Sequence, residues 1–176
     1  MDEIRTDRPS LYDEDVVAWA EQQAAALRAL GARPDLSNTL DWDNIIEEVE
    51  TVGRSEVSTV ESALRLVLVH LIKHLSAPHL PPSYHWRSEI VAFQITGRSS
   101  YRASMRRKID LDKVWRDAVV QAEANLTAYH DAVVAGLPET SPFTLDDLVT
   151  ETFDLDRSLI QLAASLDSTR ATRRRR

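Results

Sequence analysis

The sequence predicts an all-α fold, a helical bundle of four to six helices around one long central helix. Only 4 glycines and 7 prolines occur in the 176 residues, so few positions interrupt a helix. Apolar residues recur every three or four positions over long stretches, which places them on one side of an α-helix. No segment alternates polar and apolar residues over the length of a β-strand. Such helices must cover one another's apolar sides, and a bundle is the fold that does so.

The first helix is predicted over residues 11–30. Its acidic start suits the positive end of the helix dipole, and alanine, leucine and glutamine inside it are good helix formers. Gly31 stands where a left-handed cap is favoured, and Pro34 follows it, so the helix is expected to end there.

The central helix is predicted over residues 42–76, with Asp41 as its N-cap. Its apolar positions keep a spacing close to one helical turn and stay in phase across Gly53. They are Trp42, Ile46, Val49, Gly53, Val57, Val60, Leu64, Val67, Leu71 and Leu75. The alternative is two helices that break at Gly53, with Ser55 capping the second.

Four further helices complete the predicted bundle, each bounded by a capping residue or by glycine and proline. They cover residues 84–108, 112–136, 141–153 and 156–166. Ser83 and Thr144 are expected to cap the first and third of these, and Gly136 with Pro138 to end the second.

The predicted organisation is a single helical domain over residues 11–167, between a disordered N-terminus at 1–10 and a disordered basic tail at 168–176. The chain has no cysteine, which excludes disulfides and thiolate chemistry. The N-terminus is charged and lacks the apolar core of a signal peptide, and no apolar run reaches the length of a membrane span. We therefore expect a cytoplasmic protein with no membrane contact.

The charge of the chain is uneven, with 28 acidic and 21 basic residues and a net charge of −7. Five of the arginines lie in residues 170–176, so the remainder has 16 basic residues and a net charge of −12. An acidic body disfavours a broad phosphate-binding face, so nucleic-acid binding is not expected except through the arginine-rich tail.

Five segments, in this order, resemble an uncharacterised bacterial family catalogued as domain of unknown function 29. They are LYDEDVVAW at 11–19, DWDNIIEEVETVGRSE at 41–56, LVLVHLIKHL at 66–75, WRSEI at 86–90 and PFTLDDLVTETF at 142–153. The resemblance implies a helical fold over roughly residues 11–153 and no assigned activity. The chain departs from the family pattern in a longer first loop at 32–40 and in QITGR at 94–98.

His70 and His74 are the best candidates for metal chemistry. Their i, i+4 spacing places both imidazoles on one side of a helix, close enough for one divalent metal ion. A carboxylate of Glu47 or Glu50 would complete the site if the helix folds back at Gly53. In a straight helix Glu47 and His70 lie about 35 Å apart along the axis and meet only between chains.

Other residues could also take part in this metal site: Asp43, His79, His85 and His130. The alternative is that His70 is a hydrogen-bonded core residue and that His74 reaches the surface. HLIKH at 70–74 lacks the glutamate beside the first histidine that a zinc metallopeptidase uses. No Glu-x-x-His pair of the ferritin-like di-metal type occurs. Apart from a divalent metal, no cofactor is indicated.

The acidic strip, Asp43, Glu47, Glu50 and Arg54, lies opposite the apolar side of the central helix. Glu50 and Arg54 have the favourable i, i+4 order for an ion pair, which indicates a solvated helix face. The alternatives are a metal-ligand cluster or a contact with the basic side of the third helix. That side carries Arg87, Arg98, Arg102, Arg106 and Arg107.

One tryptophan lies on each of the four longest predicted helices, at positions 19, 42, 86 and 115. These side chains predict a common core rather than an aromatic ligand site. In the basic cluster at 102–108, Arg102 and Arg106 could bind phosphate or an acidic partner in the same chain. Trp42, Arg54, Trp86, Arg102 and Arg106 are thus the structural or interaction candidates.

No catalytic motif appears: the serines in GRSEV and GRSSY lack the second glycine of a nucleophile elbow, and no phosphate-binding glycine loop occurs. The first functional hypothesis is therefore a non-enzymatic protein-interaction module that self-associates, because VLVHLI at 67–72 is apolar nearly all round. The second is a metal-binding or metal-dependent hydrolytic domain built on His70 and His74.

Overall fold

The computed structural model describes residues 9–33, 35 and 40–173, with side chains described as far as Leu166. These residues form seven α-helices and one 3-10 helix and contain no strand, so the predicted all-α class is confirmed. In chain order the α-helices are α1 Leu11–Glu14, α2 Val16–Gly31, α3 Trp42–Ser76, α4 Ser83–Ser100, α5 Leu111–Thr127, α6 Leu145–Val149 and α7 Leu155–Arg173. The 3-10 helix is η1, Ala103–Arg107.

The central helix α3 has the predicted bounds and continues through Gly53, so the alternative of two helices is wrong. The Asp41 carboxylate accepts a hydrogen bond from the Asn44 amide at 3.3 Å, as an N-cap does. Its apolar side is buried from Val57 to Leu71. The unbroken phase of that side explains the helix length, because each turn adds another buried position.

The chain forms two compact units, which are described separately. The first contains residues up to Ser58 together with Arg102–Lys108, and the second contains Thr59–Tyr101 and residues from Ile109 onward. Helix α3 contributes one part to each unit. The single domain expected over residues 11–167 stays a prediction.

In the first unit, the helix predicted over residues 11–30 is interrupted at Asp15, and the prediction of one helix there is wrong. Asp15 has φ −151° and ψ 84°, and its carboxylate caps α2 by accepting from the Ala18 amide at 3.0 Å. The Ser104 hydroxyl donates to the same carboxylate at 2.7 Å. These bonds hold Asp15 as a capping residue, and Ser10 caps the short α1 before it. Residues 1–8 of the predicted disordered N-terminus lie outside the described residues.

The third predicted helix, residues 84–108, is also shorter than expected. Helix α4 ends at Ser100, and Tyr101 is extended with φ −67° and ψ 137°. At its start Pro82 occupies the cap position without a side-chain bond, so Ser83 is the buried first residue rather than the cap. Glycine and two serines over the last turn have low helix propensity, which favours an end there.

In the second unit, α3 is buried on every side from Val67 to Lys73. The inner side of α4 contributes Trp86, Ile90 and Gly97 to the core. Gln94 fixes α4 by donating to the backbone carbonyls of Leu148 and Thr150, at 3.1 and 2.8 Å. Helix α4 therefore has one side locked against its neighbours.

The fourth helix was expected to reach residue 136, but α5 ends at Thr127. His130 takes the left-handed conformation with φ 59°. The Asp131 amide donates to the Leu126 carbonyl at 3.1 Å, and the His130 amide to the Thr127 carbonyl at 3.0 Å. These two bonds form a Schellman motif, so His130 ends the helix in place of Gly136.

Helix α6, Leu145–Val149, is shorter at both ends than the predicted 141–153, and α7 begins one residue before the predicted 156. Thr144 caps α6 through a reciprocal capping box with Asp147, as predicted. Helix α7 continues to Arg173, beyond the predicted end at residue 166. Residues 174–176 of the predicted disordered tail lie outside the described residues, and the disorder of the tail stays a prediction.

Candidate functional site

The acidic strip of α3 is ion-paired within the first unit. Arg54 forms ion pairs with Glu47 and Glu50, and Arg28 of α2 forms another with Glu50. The Arg28 guanidinium beside Glu50 holds the pKa of that carboxyl below its usual value. Asp43 is exposed at the start of the helix. The expected ion pair between Glu50 and Arg54 is therefore present, at 3.8 Å.

The basic segment at 102–108 makes described contacts with α1 and α2. The Arg102 side chain donates to the Glu14 backbone carbonyl at 2.9 Å, and Lys108 forms an ion pair with Glu21 of α2. Arg106 is exposed and takes part in a polar or ring interaction. Arg102 and Lys108 thus secure η1 against α1 and α2, within the first unit.

The tryptophans divide between core and partly buried positions. Trp86 and Trp115 are buried, as predicted, and the Trp115 indole donates to the Pro138 carbonyl at 2.9 Å. Trp42 and Trp19 are only partly buried. A Cβ on Gly31 would approach the Trp42 ring to 3.0 Å, so the glycine at the end of α2 makes room for that ring.

His70 is a buried, hydrogen-bonded histidine, as the alternative interpretation of the sequence expected. Its Nδ1 lies 2.7 Å from the Leu66 carbonyl oxygen. Because a carbonyl oxygen only accepts, Nδ1 carries a proton. The ring also packs against Phe93, with 5.5 Å between ring centroids. This contact fixes the imidazole so that Nε2 points towards α4.

The Glu89 carboxylate lies between two histidines, and we call His70, His85 and Glu89 the histidine–glutamate cluster. Oε2 of Glu89 is 3.0 Å from Nε2 of His70, and Oε1 is 3.5 Å from Nε2 of His85. The two imidazoles differ in exposure, since the side chain of His70 is 9% exposed and that of His85 is 75% exposed. One carboxylate thus joins a core histidine to a surface histidine.

Burial lowers the pKa of His70, and the nearby charge of Lys73 acts in the same direction. The Leu66 carbonyl and the Glu89 carboxylate oppose this shift. Lys73 is itself buried, which lowers the pKa of its ammonium group, and it lies 4.5 Å over the Trp86 ring as a cation–π pair. The buried side of the cluster therefore resists gaining positive charge.

His74, one helical turn after His70, has different neighbours. Its Nδ1 is buried and makes no hydrogen bond of normal geometry within the described residues, although the Ser83 backbone approaches the ring. Burial, and then the charge of Arg87, lower the pKa of this ring. Arg87 is in turn paired with Asp156 of α7 at 2.8 Å.

Within the described residues, no group of three or more histidine, aspartate or glutamate side chains is arranged to hold a metal ion. The predicted carboxylate ligands, Glu47 and Glu50, lie in the first unit with arginine partners, and His70 and His74 lie in the second. Metal binding by these residues stays a prediction. The pair of His85 with Glu89 was missed, although their i, i+4 spacing was a sequence signal for it, and the contact of His70 with Glu89 joins two helices and has no such signal.

The outer face of α4 is uncharged. The exposed residues of this helix include no aspartate, glutamate, lysine or arginine, and we call them the α4 face. They are Tyr84, His85, Ser88, Val91, Ala92, Ile95, Thr96 and Ser99. Tyr84, Val91 and Ile95 are 84%, 43% and 46% exposed.

The charged residues of α4 border this face and are bonded within the chain. By helical geometry Glu89 lies at one edge, beside His85, and Arg87 and Arg98 lie at the other, beside Val91. Arg87 pairs with Asp156, and the Arg98 guanidinium donates to the Glu151 carbonyl at 3.5 Å. Depletion of charged residues in the middle of a surface, with charged residues at its border, is typical of a protein–protein interface.

Comparison with known proteins agrees with this helical architecture. The model of the family described as "Domain of unknown function DUF29" matches residues 11–154. The chain belongs to the DUF29 family. The resemblance found in the sequence is therefore confirmed. No curated protein matches the chain.

A crystal structure of a related protein shows the same fold. It is an α-helical protein of unknown function from Rhodospirillum rubrum, with 36% sequence identity and a TM-score of 0.77. The match covers 88% of this DUF29 chain and 99% of that protein. Among the described residues of the present chain, no helix is long and apolar enough to cross a membrane.

Proposed function

We propose that this DUF29 protein is a non-enzymatic, self-associating interaction module, and that the α4 face binds a second copy of the chain. The observation that supports this proposal is the composition of the face. Tyr84, Val91 and Ile95 are exposed on a helix whose exposed residues include no aspartate, glutamate, lysine or arginine. The cytoplasmic, bacterial location expected from the sequence stays a prediction.

Docking at this face has a small electrostatic cost. Covering Val91 and Ile95 removes apolar surface from water without burying an unpaired charge. Tyrosine is also among the residues that most often dominate interface energies, and Tyr84 is the most exposed large apolar residue among those described.

A second copy fits the charge of the chain better than a differently charged partner. The chain carries a net charge of −7, so a partner selected by charge would be expected to meet a charged face. The α4 face carries none of that charge, and a second copy presents the same uncharged surface. Two copies related by a two-fold axis would bury like against like, which is the commonest symmetry of soluble oligomers.

The contacts on the buried side of α4 also indicate that the α4 face is preformed. Gln94 is 3% exposed and donates to two backbone carbonyls, so it fixes the buried side of the helix. A face presented by a fixed helix loses little conformational freedom when it binds. The apolar surplus that the sequence indicated at residues 67–72 is already buried within the chain, so it is available to no partner.

Analytical ultracentrifugation over a range of protein concentrations tests the proposal. We expect the wild-type chain to form a dimer and Val91→Glu/Ile95→Glu to raise the dimer Kd by at least about tenfold, because the new carboxylates must be desolvated. The matched control is Val120→Glu/Ile160→Glu, which charges two apolar residues that are 68% and 70% exposed on α5 and α7.

The control variant should associate as the wild type does. Circular dichroism should show native helix content for both double variants, because all four positions are exposed. A wild-type chain that stays monomeric at every concentration would refute the proposal, and so would equal dissociation of both double variants.

A further inference from the structure

The two borders of the α4 face carry opposite charges. On a helix of about 3.6 residues per turn, the line through Ser88 and Ser99 runs along the middle of the face. Glu89 lies about a quarter of a turn to one side of this line, and Arg98 lies about a quarter of a turn to the other side. Arg87 lies on the same border as Arg98. The face therefore has one acidic border and one basic border.

The border charges in the first half of α4 are accessible to a second copy of the chain. The side chain of Glu89 is 32% exposed and that of Arg87 is 38% exposed, although each already has a partner within the chain. A carboxylate accepts, and a guanidinium donates, more hydrogen bonds than these contacts use, so both groups can take a further partner. The two residues differ in height along the helix axis by only about 3 Å.

Two copies that dock through this face about a two-fold axis have two possible arrangements. If the axis is perpendicular to α4, the two helices are antiparallel, and each border meets the same border of the other copy. If the axis runs along α4, the helices are parallel, and the acidic border of each copy meets the basic border of the other. The same rule governs the charged edge positions of a parallel coiled coil.

The border charges favour the parallel arrangement. Antiparallel helices would bring the arginines of one copy to the arginines of the other, and Glu89 to Glu89, and juxtaposed like charges are costly at an interface. Parallel helices bring Glu89 of each copy close to Arg87 of the other, because the two positions have nearly the same height. The two-fold axis repeats this contact, so the interface gains two pairs of opposite charge.

We propose that the α4 face binds a second copy with the two α4 helices parallel, and that Glu89 of each copy pairs with Arg87 of the other. This inference rests on the self-association proposed above. The apolar side chains of the face supply the affinity, and the charged borders select the orientation. Residues along the middle of the face then meet their own counterparts, so Ser88 lies against Ser88 and Ser99 lies against Ser99.

Disulfide trapping tests the arrangement, because the chain has no cysteine and an introduced thiol reports only its own contacts. Ser88→Cys and Ser99→Cys each place a thiol at an exposed position on the middle line of the face. Under mild oxidation we expect each variant alone to form a disulfide-linked dimer on a non-reducing gel. The matched control is Ser58→Cys, at an exposed position of α3, which should link much more slowly.

Antiparallel helices predict a different result. Positions 88 and 99 are separated by about 16 Å along the helix, and an antiparallel pair has only one height at which a residue meets its own counterpart. A disulfide needs Cα atoms within about 7 Å, so at most one of the two variants can link to itself. A mixture of the two variants that links faster than either variant alone would overturn the parallel arrangement.

Arg87→Gln provides a second test, in which the two arrangements predict opposite signs. In the parallel arrangement it should raise the dimer Kd by about threefold or more, because Glu89 of the other copy loses its partner. In the antiparallel arrangement it should lower the Kd, because it removes a repulsion between arginines. Arg116→Gln, at an exposed position of α5, is the control for loss of one positive charge and should leave the Kd unchanged.

Sedimentation of the wild type separates failure of this inference from failure of the proposed function. A wild type that is monomeric at every concentration refutes self-association, and the parallel arrangement with it. A dimeric wild type refutes only the arrangement if Ser88→Cys or Ser99→Cys links no faster than Ser58→Cys. An unchanged or lower Kd for Arg87→Gln, with native helix content by circular dichroism, refutes the pairing of Glu89 with Arg87.

Discussion

The first part of α3 and the whole of α4 are both amphipathic, but their exposed sides differ in charge. From Trp42 to Ser58, α3 exposes charged side chains, and Arg54 pairs there with Glu47 and Glu50. Over a similar length the charged residues of α4, Arg87, Glu89 and Arg98, are only partly exposed, and they lie at the edges of the α4 face. The acidity that is conspicuous in the sequence therefore lies where charges are paired and hydrated.

This difference teaches that a high density of charge is a poor guide to a site in this chain. Exposed ion pairs on a helix contribute little to stability and are typical of solvated surfaces. An exposed helix side with no aspartate, glutamate, lysine or arginine is less common in a chain with 28% charged residues, and it is the composition expected at an interface. The comparison directs attention from Glu47 and Glu50 to Val91 and Ile95.

The largest expected difference in stability is between alanine substitutions at two adjacent residues of α4. Ile90 is fully buried on the inner side of the helix, and Val91 is 43% exposed on the outer side. Ile90→Ala should lower the free energy of unfolding by about 2–5 kcal/mol, because it leaves a cavity in the core. Val91→Ala should change it by less than about 0.5 kcal/mol.

Chemical denaturation of both variants, at a protein concentration where the chain is monomeric, checks this prediction. Analytical ultracentrifugation of the same two variants should give the opposite ranking for association. Val91→Ala should weaken association more than Ile90→Ala, because only Val91→Ala removes apolar surface from the α4 face. Equal losses of stability for the two variants would show that the two sides of α4 do not differ as described.

Alanine substitutions at one glycine inside α3 and one inside α4 should change the free energy of unfolding less than Ile90→Ala. They also compare the two helices directly. A Cβ at Gly53 would lie 3.5 Å from the Ala20 Cβ, an ordinary contact. A Cβ at Gly97 would lie 3.3 Å from Leu64 Cδ2 and 3.4 Å from the Ala63 Cβ, so the neighbours must move. Gly53→Ala should raise the free energy of unfolding by about 0.5–1 kcal/mol through helix propensity.

Gly97→Ala should gain less than Gly53→Ala, since part of the same propensity gain is offset by the tight contact. Thermal unfolding of the two variants in parallel measures the difference. A larger gain at Gly97 would mean that the core beside α4 is looser than the distances indicate.

The central helix could be predicted from the sequence because its apolar side keeps its phase for the whole length, from Trp42 to Leu75. The helix ends were less predictable, because distant residues decide them. Asp15 interrupts the first helix with the help of Ser104, far along the chain. His130 ends α5 in a left-handed conformation that sequence preference assigns more readily to the glycine at position 136.

The candidate site was less predictable than the fold. Periodicity places His70 and Glu89 on separate helices and gives no information about which side chains meet between them. The α4 face could have been found, since its uncharged side is visible at helical spacing. The sequence left the basic residues of the same segment as one alternative partner of the acidic strip, but Arg87 and Arg98 are bonded to residues of α7 and of the segment after α6.

A substitution in the acidic strip should have the smallest effect on stability. Arg54→Gln removes one shared cation from Glu47 and Glu50, while the remaining pair of Glu50 with Arg28 stays. Because Arg28, Glu47 and Arg54 are exposed and Glu50 is partly exposed, we expect a loss of stability smaller than the gain from Gly53→Ala, and one that decreases with added salt. Denaturation at low and high ionic strength measures it, and Arg116→Gln, at an exposed position of α5, serves as the control for loss of one positive charge. A large and salt-independent loss at Arg54 would show that the strip has a structural or binding role beyond that of a solvated helix face.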